Sequence, residues 1–280
     1  MTLFDPSSLD LEAYLDRIGF DGHALPDLQT LRTIALRHPA AIPFENLNPL
    51  LGRPVSLDIA SLQQKLVDGG RGGWCFEHNL LLGSALAAIG FDVEGLAARV
   101  LWSVPAGAVR PRSHMVLHVD LDGLPYIVDA GFGGLTLTGP LRLEARVEQQ
   151  TPHERVRLMP AGDSFVAEAE IGGQWKALYR FDLQRQALAD YQVTNWYLSN
   201  HPESQFVTCL MAARVQEDRR YGLRNSELSI HHRDGFTERR TLATAAEIRT
   251  TLEQLFGICV PAGDDVDAAF ARIAAVVAAT

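Results

Sequence analysis

The 280-residue chain has only three cysteines, Cys75, Cys209 and Cys259, no two of them close in sequence. An odd, scattered set does not suit a disulfide framework or a cysteine-rich zinc module. Lysine is nearly missing: Lys65 and Lys176 are the only two, and arginine supplies the rest of the 25 basic residues. Set against 34 acidic residues, this leaves a net charge of −9. Nucleic acid is thereby disfavoured as the main partner, because phosphate binding needs a basic face. Long apolar runs are lacking too. The longest, Ile273 to Ala279, falls far short of the roughly 20 residues that cross a bilayer. Met1 to Asp10 has neither the basic nor the apolar region of a signal peptide. A cytoplasmic protein with no membrane partner is expected.

What is present is the composition of an ordinary globular chain, and 280 residues exceed the usual size of one hydrophobic core. Two or three subdomains are expected, packed as one body, since no low-complexity linker or internal repeat divides them. The stretch that stands out is Gly69-Gly70-Arg71-Gly72-Gly73-Trp74-Cys75-Phe76-Glu77-His78-Asn79-Leu80. After it, Leu80, Leu81, Ala85, Leu86 and Ile89 recur at helical spacing, and Gly90 reads as the stop. Cys75 therefore falls in the first helical turn. Unpaired N–H groups and the positive end of the helix dipole favour an anion there, which is the nucleophilic state of a thiol.

The first ninety residues read as a helical bundle. One helix is expected over Ser7–Gly19 with a Ser7/Asp10 capping box, and a second follows Asp27 and ends at His38-Pro39. A loop from Ile42 to Pro49 leads to a third helix opened by Asp58, and the cysteine helix is the fourth. Beyond Gly90 the apolar pattern changes to period two. Strands are expected at Val93–Trp102, Ser113–Leu121, Tyr126–Ala130, Glu154–Met159, Ser164–Ile171 and Trp175–Phe181, with Asp122-Gly123 and Gly172-Gly173 as hairpin turns. This part reads as an antiparallel sheet or barrel. The remainder mixes strands (Phe206–Val215, Glu227–His232) with helices near Ala245–Leu255 and Asp265–Ala279. The fold class is α+β: helical bundle over 1–90, β-barrel over 91–200, α/β lid over 201–280.

A cysteine nucleophile needs a base, and the base needs an orienting group. The Asp122-Gly123 hairpin places His114 and Asp129 on one sheet face, opposed or diagonal according to loop length. Asp129 is a carboxylate in an otherwise apolar strand and needs a partner such as an imidazole. His118 shares that face, and spacing does not choose between the two histidines. A zinc module using Cys75, His78, His114 and His118 is a rival, Cys75 and His78 being one helical turn apart, as is a non-catalytic scaffold.

The segments Arg71-Gly72-Gly73-Trp74-Cys75-Phe76-Glu77, Ser113-His114 and Val128-Asp129-Ala130-Gly131-Phe132-Gly133 resemble those of the arylamine N-acetyltransferase family. So do Ile42-Pro43-Phe44-Glu45-Asn46-Leu47 and Asn195-Trp196-Tyr197-Leu198-Ser199. The resemblance spans about residues 10 to 210, and the C-terminal third matches less closely. It implies Cys75, His114 and Asp129 as catalytic residues, preferring His114 over His118, and a bundle, barrel and lid architecture. It also implies acetyl-CoA as acyl donor, no metal, and a small-molecule arylamine or arylhydrazine acceptor, with xenobiotic metabolism as the setting. The reaction implied is ping-pong transfer through an acetyl-cysteine. An amide synthase of the same family and a Cys-His-Asp hydrolase or transglutaminase-like enzyme are the alternatives. The oligomeric state is left open, a homo-oligomer included. Phe44, Trp74, Phe132 and Phe206 are candidates for the apolar pocket, and Gly131, Gly133 and Gly134 for close approach of CoA to the backbone. Arg99, Arg110 and Arg112 are candidates for its phosphates, and Arg71 for a structural role, bridging loop carbonyls or Glu45 beneath the site. Trp74 stands where tyrosine is common, and His78 where glutamine or leucine is expected.

Overall fold

Carboxylates start the N-terminal helices. In the computed structural model, which describes residues 3–105 and 107–278, Asp10 accepts from Ala13 N at 3.0 Å and opens α1 (Leu11–Arg17). Ser7 is not the cap; it bonds the Asp5 side chain instead, and the extended backbone at Asp10 fixes the start one turn later than expected. Asp27 accepts from Thr30 N at 2.7 Å and opens α2 (Leu28–Ala41). That helix runs past Pro39, because a proline in the last turn removes only one ladder bond and both His38 and Pro39 are buried. The chain then forms a short strand β1 (Phe44–Glu45) and a helical turn α3 (Leu47–Leu50). Asp58 caps α4 (Ile59–Leu62), which continues as a π-helical turn over Gln63–Asp68.

α5 (Cys75–Ile89) is buried continuously from Cys75 to Leu86. A helix buried on every side belongs inside a core rather than on its surface, and its few polar residues need partners there. It ends at Gly90, whose φ of 110° closes the last turn onto the carbonyls of Leu86 and Ala87. Around it lies a cluster including Tyr14, Ile34, Leu66, Phe76, Leu81, Met115 and Val128, so the bundle and one face of the barrel share a core.

The barrel is built of β2 (Asp92–Val100), β3 (His114–Leu121), β4 (Leu124–Val128), β5 (Leu141–Arg142), β6 (Glu148–Gln150), β7 (Arg155–Ala161), β8 (Ser164–Ile171) and β9 (Gln174–Arg185). They pair antiparallel in the order β5-β4-β3-β2-β9-β8-β7-β6. Leu121 faces Leu124, so the β3–β4 loop has two residues, Asp122 and Gly123, both at positive φ. The two ends of the sheet are not paired backbone to backbone. Gln149 closes them with its side chain: Arg142 N donates to Oε1 and Nε2 donates to Arg142 O, each at 2.8 Å. Edge groups that would face water are satisfied in this way. A cavity of about 610 Å³ lies between this seam and α2 and touches none of Cys75, His114 or Asp129.

α6 (Leu188–Asn200) follows the barrel, and no helix is expected there from the pattern. The expected strand over Phe206–Val215 is strand only in its second half. Ser204 caps a turn, α7 (Gln205–Thr208), and the strand β10 starts at Met211 and ends at Val215. β10, β11 (Arg219–Arg224), β12 (Glu227–His232) and β13 (Thr237–Thr241) form a second antiparallel sheet whose other edge is β1. α8 (Ala245–Gln254) and α9 (Asp264–Ala278) pack with it around Leu223, Ile248, Phe256 and Phe270. The expected end of the last helix, Ala279, lies outside the described residues. Among the described residues no helix is long and apolar enough to cross a membrane.

Candidate active site

Cys75 is the first residue of α5, with Trp74 as N-cap in extended conformation. Glu77 reaches back one turn, and its Oε2 accepts from Trp74 N at 3.0 Å while Lys65 Nζ sits 2.6 Å from its Oε1. Burial raises the pKa of Glu77, and the ammonium of Lys65 opposes that rise. The glycines ahead of Cys75 are demanded by contact. A Cβ at Gly72 would meet the Pro43 carbonyl oxygen at 2.0 Å. Arg71 lies below this loop, its Nε 2.9 Å from Glu45 Oε1 and its Nη2 3.1 Å from Asn48 Oδ1, the structural pair expected from the sequence.

β3 delivers His114 and the end of β4 delivers Asp129. His114 Nε2 is 2.7 Å from Asp129 Oδ2, and both side chains are buried. The Cys75 sulfur is close enough to the ring to add to the upward pull on it. That sulfur lies 3.6 Å from the carbonyl oxygen of Ser113. The three sequence-predicted residues are thus brought together. The hairpin takes the two-residue register, in which His114 and His118 are both diagonal to Asp129. The choice is made outside the ladder: β4 ends at Val128, and Asn79 of α5 draws the next residues toward the bundle. Asn79 Nδ2 donates to Asp129 Oδ1 (3.0 Å) and Met115 O (2.7 Å), while its Oδ1 accepts from Ala130 N (3.0 Å). His118 instead stands 3.9 Å from Glu94, partly exposed.

Electrostatics follow from these contacts. Burial alone pulls His114 down, but the Asp129 carboxylate, with Cys75, more than reverses this and raises it to about 10. Burial works to raise Asp129, yet His114, Asn79 and the Gly131 N–H at 2.8 Å hold its carboxyl below the usual range. The imidazole therefore stays protonated at neutral pH.

The aromatic candidates form the surround. Phe132 stands edge-on to His114 with centroids 5.1 Å apart, and Trp74 edge-on to Phe206 at 4.8 Å. Phe44 lies 6.3 Å from Phe206, and a Cβ on Gly133 would touch its ring at 3.6 Å. Gly131 has a packing role: a Cβ there would come within 2.5 Å of Cys75 Cα. Arg112 pairs with Asp182 at 2.5 Å, and Arg99 bonds the carbonyl of Arg110. Two contributors escape sequence reasoning. Asn79 is a polar residue inside an apolar helix, a signal that marks a buried hydrogen-bonding duty. Tyr179 of β9 lies 5.0 Å from His114 and 5.1 Å from Phe132, and burial, reinforced by the Asp129 charge, raises its hydroxyl so that it stays a neutral phenol. The four residues of the zinc reading are engaged separately: both nitrogens of His78 face His38 and Pro43 O, away from Cys75.

The arrangement can hold a proton between a sulfur and an imidazole and stabilise the imidazolium with a buried carboxylate. Comparison with known proteins places it. A family model described as N-acetyltransferase matches residues 27–265. The chain is 46% identical over 272 residues to arylamine N-acetyltransferase of Mycolicibacterium smegmatis, covering 95% of this chain and 98% of that one. Its structure is similar to that of arylamine N-acetyltransferase from M. tuberculosis, with a TM-score of 0.91, 43% identity, and coverage of 94% here and 100% there. It is likewise similar to Mycobacterium marinum arylamine N-acetyltransferase in complex with CoA, with TM-score 0.91, 44% identity and coverage of 94% and 99%. By sequence and by fold together, this chain belongs to the arylamine N-acetyltransferase family.

Proposed function

We propose that the protein transfers an acetyl group from acetyl-CoA to arylamines and arylhydrazines through an acetyl-cysteine on Cys75, as a cytoplasmic enzyme of xenobiotic metabolism. One observation carries the reading: Asp129 Oδ2 holds His114 Nε2 at 2.7 Å, and the Cys75 sulfur lies against the same site, 3.6 Å from the carbonyl oxygen of Ser113. The Cys75 sulfur attacks the thioester carbon, and the start of α5 offers the Cys75 N–H to the developing oxyanion. Collapse breaks the bond to CoA sulfur, which takes the proton from His114. The amine then attacks the acyl carbon, neutral His114 takes its proton, and the carbon–sulfur bond breaks. This restores the imidazolium beside Cys75. Asp129 fixes the tautomer and stabilises the cation in both steps.

The acceptor class has a physical basis. Aromatic amines are weakly basic, remain unprotonated near neutral pH and stay nucleophilic. Phe44, Trp74, Phe132 and Phe206 supply an apolar surround that receives an aromatic ring and excludes water. The relative solved with CoA supports a CoA thioester as donor. Mass spectrometry after incubation with acetyl-CoA tests the proposal. A single acetyl group on the protein, absent in Cys75→Ala and discharged by an added arylamine, is expected. Spontaneous loss of the acetyl group in buffer, with no acetylated amine formed, would reassign the site to a hydrolase.

A further inference from the structure

Behind the triad, on the bundle side of α5, lies a second set of buried polar groups with no part in the steps above. Tyr14 Oη is 2.8 Å from His38 Nδ1, His38 Nε2 is 2.9 Å from His78 Nδ1, and His78 Nε2 is 3.1 Å from the Pro43 carbonyl oxygen. All three side chains are fully buried. The protons on this chain can be ordered in only one direction. A carbonyl oxygen only accepts, so His78 donates from Nε2 and must accept at Nδ1. His38 therefore donates from Nε2 and accepts at Nδ1, which obliges Tyr14 to donate. Each ring nitrogen is used once, and both imidazoles are held as the neutral Nε2–H tautomer.

The chain ends on the peptide that carries Phe44. Pro43 O also accepts from Gly73 N at 3.3 Å, and Glu45 N donates to Gly73 O at 2.9 Å, so this segment is stitched to the residues just before Cys75. The Phe44 ring is parallel to the His78 ring within 2°, with centroids 6.5 Å apart. It faces Gly133 and Phe206 on its other contacts. We propose that His78 is a positioning residue for the acceptor: the one-way chain Tyr14 to His38 to His78 to Pro43 O fixes the Pro43–Phe44 peptide, and with it the ring against which the aromatic amine lies. The inference rests on the acyl-transfer reading, and it separates the two half-reactions. No member of the chain bonds the sulfur or His114, so its effect falls chiefly on acceptor binding rather than on donor chemistry.

The test compares the unaltered protein with His78→Leu, which deletes both contacts, and His78→Gln, which keeps one donor and one acceptor. In His78→Leu the rate of Cys75 acetylation by acetyl-CoA stays within about twofold, while KM for an arylamine rises about tenfold. His78→Gln restores KM to within about threefold of the unaltered protein. Equal loss in both half-reactions, or an unchanged KM in His78→Leu, overturns the proposal. Absence of any acetyl-enzyme in the unaltered protein would instead count against the acyl-transfer reading. Should His78→Leu fail to fold, imidazole nitrogen NMR of the unaltered protein decides. Nε2–H on both His38 and His78 supports the chain, and Nδ1–H on His78 overturns it.

Discussion

His114 and His78 are both buried and both bear on α5, yet they come to opposite charge states. Burial lowers each of them. His78 goes to about 4, because what it meets is another neutral imidazole and a carbonyl. His114 goes to about 10, because what it meets is the Asp129 carboxylate. His38 falls well below its usual value for the same reason as His78, with the neighbouring ring adding to the effect of burial. The partner, not the depth, decides whether a buried histidine is a cation. One side of α5 is equipped to carry charge through a reaction, and the other to hold a shape without any.

The comparison breaks most severely at Asp129. Asp129→Asn leaves the triad side as neutral as the other, and kcat/KM for acetyl transfer is expected to fall about 10³- to 10⁴-fold. An NMR titration of the same variant should show His114 falling from about 10 to below its ordinary value of roughly 6.5. If it stays high, another group carries the cation.

The next effect is on stability, and the two sides have opposite signs. A histidine kept neutral by the fold contributes in full above the unfolded value, and this is lost as pH falls toward the folded one. For His78 that window runs from 6.5 down to about 4, corresponding to on the order of 3 kcal/mol. His114 does the reverse: its contribution is complete below 6.5 and lost as pH rises through about 10. Urea unfolding at pH 7 and pH 5 should therefore show lower stability at pH 5, and His78→Gln should flatten the difference.

Asn79→Ala comes third. It removes three hydrogen bonds, two of them to Asp129 and Ala130, and a loss of about 2 kcal/mol of transition-state stabilisation, roughly thirtyfold in kcat/KM, is expected. The smallest effect belongs to His118→Ala. That ring also has a carboxylate neighbour, Glu94 at 3.9 Å, but both are partly exposed. Steady-state activity should stay within about twofold, since a solvated pair of this kind contributes little.

The parts legible in the sequence were those set by short-range rules. Asp27, Asp58 and Gly90 mark helix ends by their own chemistry, and the Asp122-Gly123 turn fixes the β3–β4 hairpin. Type and spacing single out Cys75, Asp129 and a histidine on its sheet face, but only the resemblance prefers His114 over His118. Its physical cause is a bend after Val128 held by Asn79 from another element, which no local pattern records. α6 was invisible for a related reason. It leaves Val193, Trp196 and Tyr197 to solvent and buries Asn195 and Ser199 beside Tyr191 and Leu198, so it shows no clean apolar face. Phe206–Thr208 looked like strand because its residues favour one, and Ser204 overrode them with a cap.

The Gln149 amide has a mechanical consequence. A cylinder of strands whose two end strands meet through a side-chain amide, where its other strands meet through a backbone ladder, is weakest along that line, and hydrogen exchange should start there. The amide proton of Arg142 would exchange with solvent ahead of those in the β2–β3 ladder, and Gln149→Ala would speed it further without unzipping the rest.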